Sequence, residues 1–271
     1  MKSKPLLILL IFFNAVSALM IAPTPKRYVF MDVGQGDAAL SQSGSHIYLV
    51  DTGPEGGIVR KIGEYLGRRK YLDVIFISHY DKDHSGGALE IAKRYEIGAL
   101  VFPSADRKTY PDTTSMPYEL FEAMNIARAR GTRITAVTSG TKIDFGEEQL
   151  EILSPHIRMK LKGDNDNSIV IFAIAKPKRI LFAADISQKA EEKLTQKYGK
   201  LLRADILKVA HHGARSSTGD GLLKYVRPEL AIISVGKNFY GHPAKETLQR
   251  LILAGAKIRR TDYEGDIQLE K

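Results

Sequence analysis

The stretch "SHYDKDHSGG" (residues 78–87) places two histidines and two aspartates within six positions, after an apolar run and before paired glycines. Two readings account for it: a polar surface turn, or a loop built to hold metal. In His79–Tyr80–Asp81–Lys82–Asp83–His84 the ligand-type residues stand at i, i+2, i+4 and i+5, so alternate side chains of a loop can face two neighbouring metal sites. Gly86 and Gly87 then let the chain turn closely and enter a helix. The donors are hard or borderline, which suits Mn²⁺ or Zn²⁺.

Cysteine is absent, which excludes thiolate metal sites, disulfides and cysteine nucleophiles. Any ion must be held by His, Asp, Glu, Asn or backbone oxygen. The 271 residues are 44% hydrophobic and 26% charged, which excludes wholesale disorder and leaves ample material for a core. Forty Lys and Arg against 31 Asp and Glu give a net charge of +9, a balance that favours polyanionic partners.

The first residues, "MKSKPLLILLIFFNAVSALMIAPTPK", carry Lys2 and Lys4, an apolar run from Leu6 to Phe13 and small residues at Ala15, Ser17 and Ala18. This layout predicts a signal peptide over 1–18 and an exported, periplasmic or secreted protein. An uncleaved N-terminal anchor, and with it membrane association, is the alternative. From about residue 27 to 271 no linker or repeat interrupts the chain, which reads as one domain.

Apolar or β-branched runs predict strands over 27–33, 46–52, 72–78, 97–103, 149–153, 168–174, 179–185, 205–211 and 229–236. Helical periodicity marks 57–69, 85–96, 117–131, 187–199 and 244–255, several ending at a glycine suited to a C-cap. Strands alternating with helices imply an α/β layered fold. Asp51, His79, Asp185 and His211 each close an apolar run, so they can converge on one sheet edge.

With these motifs in place, "SHYDKDHSGG" resembles the HxHxDH signature of the metallo-β-lactamase fold superfamily. More narrowly it resembles the hydrolase-like C-terminal domain of the ComEC competence DNA-uptake family, where HxDxDH is common. "MDVGQGDAAL" (31–40), "LVDTG" (49–53), "ILFAADI" (180–186), "ILKVAHHGARSST" (206–218), "ISVGKNFYGHP" (233–243) and "RRTDYEGDI" (259–267) follow in order, so the likeness covers nearly all the chain. It implies an αββα sandwich, two mixed sheets with helices outside and the active site along one edge.

The resemblance also implies the ligands of two divalent metal ions. His79 and Asp81 match one site, Asp83, His84 and His211 the other, and Asp185 the carboxylate between them. The further histidine that many relatives supply near "GDNDNSI" is missing; Asp166, Asn167, Ser168 or water would complete the first site, and His156 stands too early in the pattern. Asp51 matches an aspartate that orients the ligand loops by accepting hydrogen bonds. Asp37, in the tight "DVGQGD" turn, is expected near the metal edge, whereas Asp32 and Gln35 read equally as turn residues.

Neighbouring His211 and His212 would point apart on an extended chain, so His211 is assigned as ligand and His212 to substrate or supporting contact. Arg215 and Ser216 suit phosphate oxygens, although a serine here would also cap a helix. Lys237, Asn238 and His242 lie on a loop expected on the substrate side, His242 as proton donor or phosphate contact.

The expected function is an exported metal-dependent phosphodiesterase or DNase that uses a metal-bridged hydroxide, with Asp83 and Asp185 as catalytic carboxylates and no obligate protein partner. Hydrolysis of a small ester, lactone, lactam or cell-surface phosphoester is the second reading on the same fold. A non-catalytic nucleic-acid-binding module is the third. Asp81, where a lactamase would have histidine, favours the phosphodiester.

Overall fold

The computed structural model describes residues 26–104, 110–156 and 165–271. The expected signal segment, 1–18, lies outside the described residues. Among those described, no helix is long and apolar enough to cross a membrane.

Among the described residues, fourteen strands form two mixed seven-stranded sheets. The first contains β1 (Lys26–Phe30), β2 (Ala39–Ser43), β3 (His46–Val50), β4 (Tyr71–Phe76), β5 (Glu96–Pro103), β6 (Arg133–Val137) and, on the far side of β1, β14 (Ile267–Glu270). The second runs β13 (Lys257–Arg260), β12 (Leu230–Ile233), β11 (Ile206–Lys208), β10 (Lys178–Phe182), β9 (Val170–Ala175), β8 (Glu148–Ser154) and β7 (Lys142–Asp144). In each sheet the pairing changes from antiparallel to parallel: at β3–β4 in the first and at β10–β11 in the second.

Between the sheets Tyr28, Phe30, Tyr48, Phe76, Phe182, Ile152 and Ile171 form a dry layer. Phe30 stacks on Phe182 at 5.9 Å, and Tyr48 on Phe145 at 5.1 Å. Removing such a side chain from water contributes roughly 1.5–3 kcal/mol, which makes this layer a main source of stability. The outer faces are covered by helices. α1 (Ile58–Leu66), the one-turn α2 (Lys82–Ser85), α3 (Ala88–Arg94) and α4 (Tyr118–Ala129) belong to the first sheet's side, where Ile62, Ile91 and Met124 join its core. α5 (Gln188–Tyr198), α6 (Asp220–Val226) and α7 (Lys245–Leu253) supply Leu194, Leu223 and Leu251 to the core of the second. α8 (Thr261–Glu264) caps the path from β13 to β14. The architecture is the expected αββα sandwich.

The sequence pattern misses β2, β6, β7, β13, β14, α6 and α8. β2 is "ALSQS", polar by composition yet wholly buried. Its polar groups find partners that no local window reveals: Gln42 Oε1 accepts from Arg27 Nε at 2.5 Å, and Ser41 donates to Glu148 at 3.2 Å. Glu148, also buried, accepts from Tyr28, Tyr48 (2.6 Å) and Lys271, so four donors share one charge between the sheets. A buried carboxylate without them would cost several kcal/mol.

Candidate metal centre

The loops leaving β3, β4, β10 and β11 meet at one end of the sandwich and bring Asp51, the 78–87 loop, Asp185 and the His211–His212 pair together. The predicted helix over 85–96 is shorter, running over Ala88–Arg94 as α3 with Gly87 leading into it, and the single turn α2 (Lys82–Ser85), entered from Asp81, precedes it. Glycine is required at 86 and 87 by contact: a Cβ on Gly86 would sit 2.5 Å from the Lys82 carbonyl oxygen, and one on Gly87 2.4 Å from that of Thr52.

Asp51 occupies the left-handed region (φ 59°) and is buried. Its Oδ1 accepts from the Ser78 N–H (2.7 Å), and its Oδ2 from the Ser78 hydroxyl (2.7 Å) and His84 Nδ1 (2.8 Å). One carboxylate therefore ties β3 to the ligand-bearing loop and fixes the His84 ring. Nε2 of His84 consequently faces inward, 3.1 Å from Asp185 Oδ1.

The same arrangement recurs twice. His79 Nδ1 meets the Ser78 hydroxyl at 2.9 Å, leaving Nε2 3.6 Å from Asp81 Oδ2. His212 Nδ1 donates to the Ser234 carbonyl at 2.9 Å, leaving Nε2 3.2 Å from Asp83 Oδ2 and 3.6 Å from Asp185 Oδ2. Three imidazoles thus have their outer nitrogen engaged by the protein and the inner one presented to carboxylates, the pattern that orients a histidine for ligation.

His79 Nε2, His84 Nε2, Asp185 Oδ1 and Asp37 Oδ1 are buried without a hydrogen-bond partner. Two groups, His79–His84–Asp185 and Asp37–His84–His212, bring their donor atoms within 4.8 Å of one another. Orphaned nitrogen and oxygen donors at this spacing fit a hard or borderline divalent cation.

The electrostatics follow from burial and opposite charge. Burial favours neutral His84, but the adjacent Asp185 and Asp51 carboxylates outweigh it and raise its pKa well above the ordinary value. His212 is raised to about 10 by Asp185 and Asp37, again against burial. For Asp185 burial works upward, yet His84 and His212 bring its pKa well below the usual range. Asp83 is also lowered: burial pushes it up, and the His212 hydrogen bond and His84 overcome that. Asp81 is lowered chiefly by its contact with His79. The carboxylates are therefore ionised at neutral pH.

The two adjacent histidines differ from the sequence expectation. Neither is extended: His211 (φ 51°, ψ 47°) and His212 (φ 52°, ψ 22°) are both left-handed. Their Nε2 atoms therefore reach the same Asp185 oxygen, at 3.7 Å and 3.6 Å. His212, expected to make a substrate or supporting contact, is buried with both ring nitrogens on protein partners, whereas His211 is partly exposed and lines an open groove. A neighbouring clamp fixes this loop. Glu191 accepts from the Thr218 (2.5 Å) and Gly219 (2.8 Å) N–H groups, while Arg250 donates to the carbonyls of Arg215, Ser217 and Thr218 at 2.8–3.0 Å.

Asp37 lies beneath the cluster and accepts from Lys208 Nζ at 2.6 Å; both are buried. Its Oδ1 is 3.3 Å from His212 Nδ1, and its backbone N–H donates to the Asp83 carbonyl at 3.1 Å. Lys208 and Ser78 were missed by sequence reading, although a lysine inside the apolar "DILKVAH" was a visible signal. The rest of "DVGQGD" is a spacer held by contact. A Cβ on Gly36 would meet the Asp83 carbonyl oxygen at 2.4 Å, and one on Gly236 would meet the Gly34 carbonyl carbon at 2.4 Å. Asp32 engages Asp266 through its N–H (2.7 Å), and Gln35 Oε1 is 3.4 Å from the Gly236 N–H.

Among residues considered for completing the first site, Asp166 accepts from the Ser187 N–H at 2.9 Å and Ser168 donates to the Asn165 carbonyl at 2.5 Å. His156 stands apart, stacked with Tyr198 and 3.4 Å from Lys197 Nζ.

Beside the cluster opens a groove of about 960 Å³ lined by His211, Arg215, Ser216, Tyr240, His242 and Lys245, among others. Arg215 reaches Glu246 at 2.9 Å and is largely exposed. Asn238, expected to touch substrate, spends its amide on its own loop. Nδ2 donates to the Gly236 and His242 carbonyls (both 2.9 Å), and Oδ1 accepts from the N–H groups of Tyr240 (3.1 Å) and His242 (3.0 Å). Lys237 is exposed on that loop. Burial, then the nearby His211 and His212, lower the His242 pKa, so it is neutral at pH 7 and suits a hydrogen bond better than proton donation.

A sandwich of two mixed sheets with histidines and aspartates converging at the strand ends defines a metallo-β-lactamase-type centre. The metallo-β-lactamase superfamily model matches residues 31–237, and the chain belongs to that family. It is 30% identical over 200 residues to the ComE operon protein 3 of Bacillus subtilis, covering 73% of this chain and 24% of that protein. To the competence protein ComA of Neisseria gonorrhoeae it is 31% identical over 243 residues, 88% of this chain and 31% of that protein. The chain thus spans about a quarter to a third of these relatives. The metallo-β-lactamase fold protein YhfI from Bacillus subtilis superposes with a TM-score of 0.58 at 13% identity, covering 90% of this chain and 99% of that one.

Proposed function

We propose that this chain is a metal-dependent phosphodiesterase acting on DNA, carried by an exported hydrolase domain over residues 27–271. The observation that carries the reading is the set of three buffered imidazoles, His79, His84 and His212, each presenting Nε2 to an ionised carboxylate. Its competence-protein relative supports DNA as the substrate class. So does the groove beside the cluster, where Arg215 and Lys245 offer cationic partners for a phosphate backbone.

In this reading His79 and Asp81 would hold one ion, Asp83 and His84 with His211 or His212 would hold the other, and Asp185 would serve both. Divalent ions there would supply Lewis acidity, making water a nucleophile near neutral pH and balancing charge on the phosphoryl oxygens. The chain's residues do the rest. Asp51, Ser78 and Ser234 hold the imidazole tautomers. Asp83 and Asp185, ionised beside the histidines, orient the attacking water. Arg215 forks onto non-bridging phosphate oxygens, and neutral His242 donates a hydrogen bond to one of them.

The test is to incubate the protein with single- and double-stranded DNA, RNA, bis(p-nitrophenyl) phosphate and a β-lactam, with Mn²⁺ or Zn²⁺. Metal-dependent cleavage of DNA supports the reading; turnover of the β-lactam alone contradicts it.

A further inference from the structure

The loop from Gly236 to His242 shows two opposed properties. It is rigid, because all the amide hydrogen bonds of Asn238 close upon its own backbone and Gly236 packs on the Gly34–Gln35 backbone. Yet it holds its aromatic residues in solvent: Phe239 is 99% exposed and Tyr240 77%. Folding gains nothing from such rings, since burying either would be favourable and the loop's own bonds prevent it.

The rings continue a series that begins in the metal centre. His211 and His242 have centroids 5.5 Å apart, and Tyr240 follows His242 at 5.7 Å with a tilt of 32°. Tyr240 lines the groove together with Arg215 and Lys245, while Lys237 adds a charge on the same loop. Flat apolar faces beside cations, leading outward from hydrolytic residues, match a polyanion that carries π-faces along its length. A duplex offers no such face, because its bases are already stacked on one another.

We infer that the Gly236–His242 loop is a base-stacking element: Tyr240, extended by Phe239, receives unpaired nucleobases of a single-stranded nucleic acid whose backbone lies in the groove beside His211. The inference rests on the phosphodiester reading and narrows it to single strands. The loop acts by positioning, holding the strand so that one phosphate sits against the cluster, and takes no part in bond cleavage.

Binding is measured by fluorescence anisotropy of a labelled twelve-residue oligothymidylate, an abasic strand of equal length and charge, and a duplex. Chelator is present so that no turnover intervenes. The wild-type chain is compared with Phe239→Ala and Tyr240→Ala, both at exposed positions that the fold tolerates. Wild type should bind oligothymidylate at least about tenfold more tightly than the abasic strand or the duplex. The Tyr240 variant should lose on the order of 5- to 150-fold for oligothymidylate, with Phe239→Ala losing less, and neither should change for the abasic strand. Equal wild-type affinity for the base-bearing and abasic strands overturns the inference, as does unchanged binding by both variants. So does loss of binding to anionic phosphatidylglycerol vesicles with oligonucleotide binding intact, which would make the rings a membrane contact. If stacking behaves as stated while no phosphodiester is cleaved with any metal, the inference stands and the catalytic reading fails.

Discussion

Lys208 Nζ stands 2.6 Å from Asp37 Oδ2, and both residues are buried beneath the metal centre. The pair joins the turn after β1 to the end of β11, and through Asp37 Oδ1 it faces His212 Nδ1 at 3.3 Å. The lysine, with burial opposing it, is the largest influence holding Asp37 below the usual carboxylate range.

Removing the cation alone strands a buried negative charge. Lys208→Met should therefore destabilise the fold by about 3–5 kcal/mol, and Asp37→Asn in that background should restore part of the loss. Urea denaturation of the single and double variants decides it; an additive double variant would contradict the coupling.

Gly236 supports the contact between the loop after β12 and the "DVGQGD" turn. A methyl group there would lie 2.4–2.6 Å from Gly34 and Gln35 backbone atoms, so Gly236→Ala must separate the two loops. The expected cost is roughly 1–3 kcal/mol, with weaker metal binding because Asp37 and Asp83 move with the turn. Thermal melting and metal titration measure both.

Metal uptake should release protons. His84 and His212 are held protonated by their carboxylates, His212 up to about pH 10, and a cation must displace those protons. Apparent affinity should rise with pH between 6.5 and 9, by up to about tenfold per unit for each proton released. The metal-free fold shows the opposite sense: a raised histidine pKa contributes stability that is full below about pH 6.5 and is lost as pH climbs through about 10. Calorimetry in buffers of different ionisation enthalpy counts the protons; no release would contradict the electrostatic account.

Glu191 provides a separate pH signature, because burial raises its pKa from 4.5 to about 7 against the Gly219 and Thr218 N–H groups and Arg250. The folded chain binds a proton there that the unfolded chain releases between those two values. Stability should therefore fall by on the order of 3 kcal/mol as pH rises from 4.5 to 7. Glu191→Gln should remove that component, seen as a flatter dependence of Tm on pH; an unchanged slope would contradict it.

The fold class was legible because apolar strands, glycine-terminated helices and ligand residues at strand ends all pointed to one layered architecture. The direction of His212 was not legible, since left-handed backbone at two non-glycine residues is imposed by the 210–219 loop and not by local preference. Lys208 escaped because its partner, Asp37, lies 171 residues away. β2 escaped because its polar side chains are satisfied by Arg27 and Glu148 from other strands, and β13, "KIRR", because a charged edge strand shows no apolar alternation.

The central claim is that the His–Asp cluster is a hydrolytic metal centre for phosphodiesters. Its most direct test is the rate of single-stranded DNA cleavage by wild type and by Asp185→Asn, with Mn²⁺ or Zn²⁺ and with chelator. Metal-dependent cleavage by wild type, reduced at least about a hundredfold in Asp185→Asn, is the predicted result. Cleavage that persists equally in the variant or in chelator would contradict it.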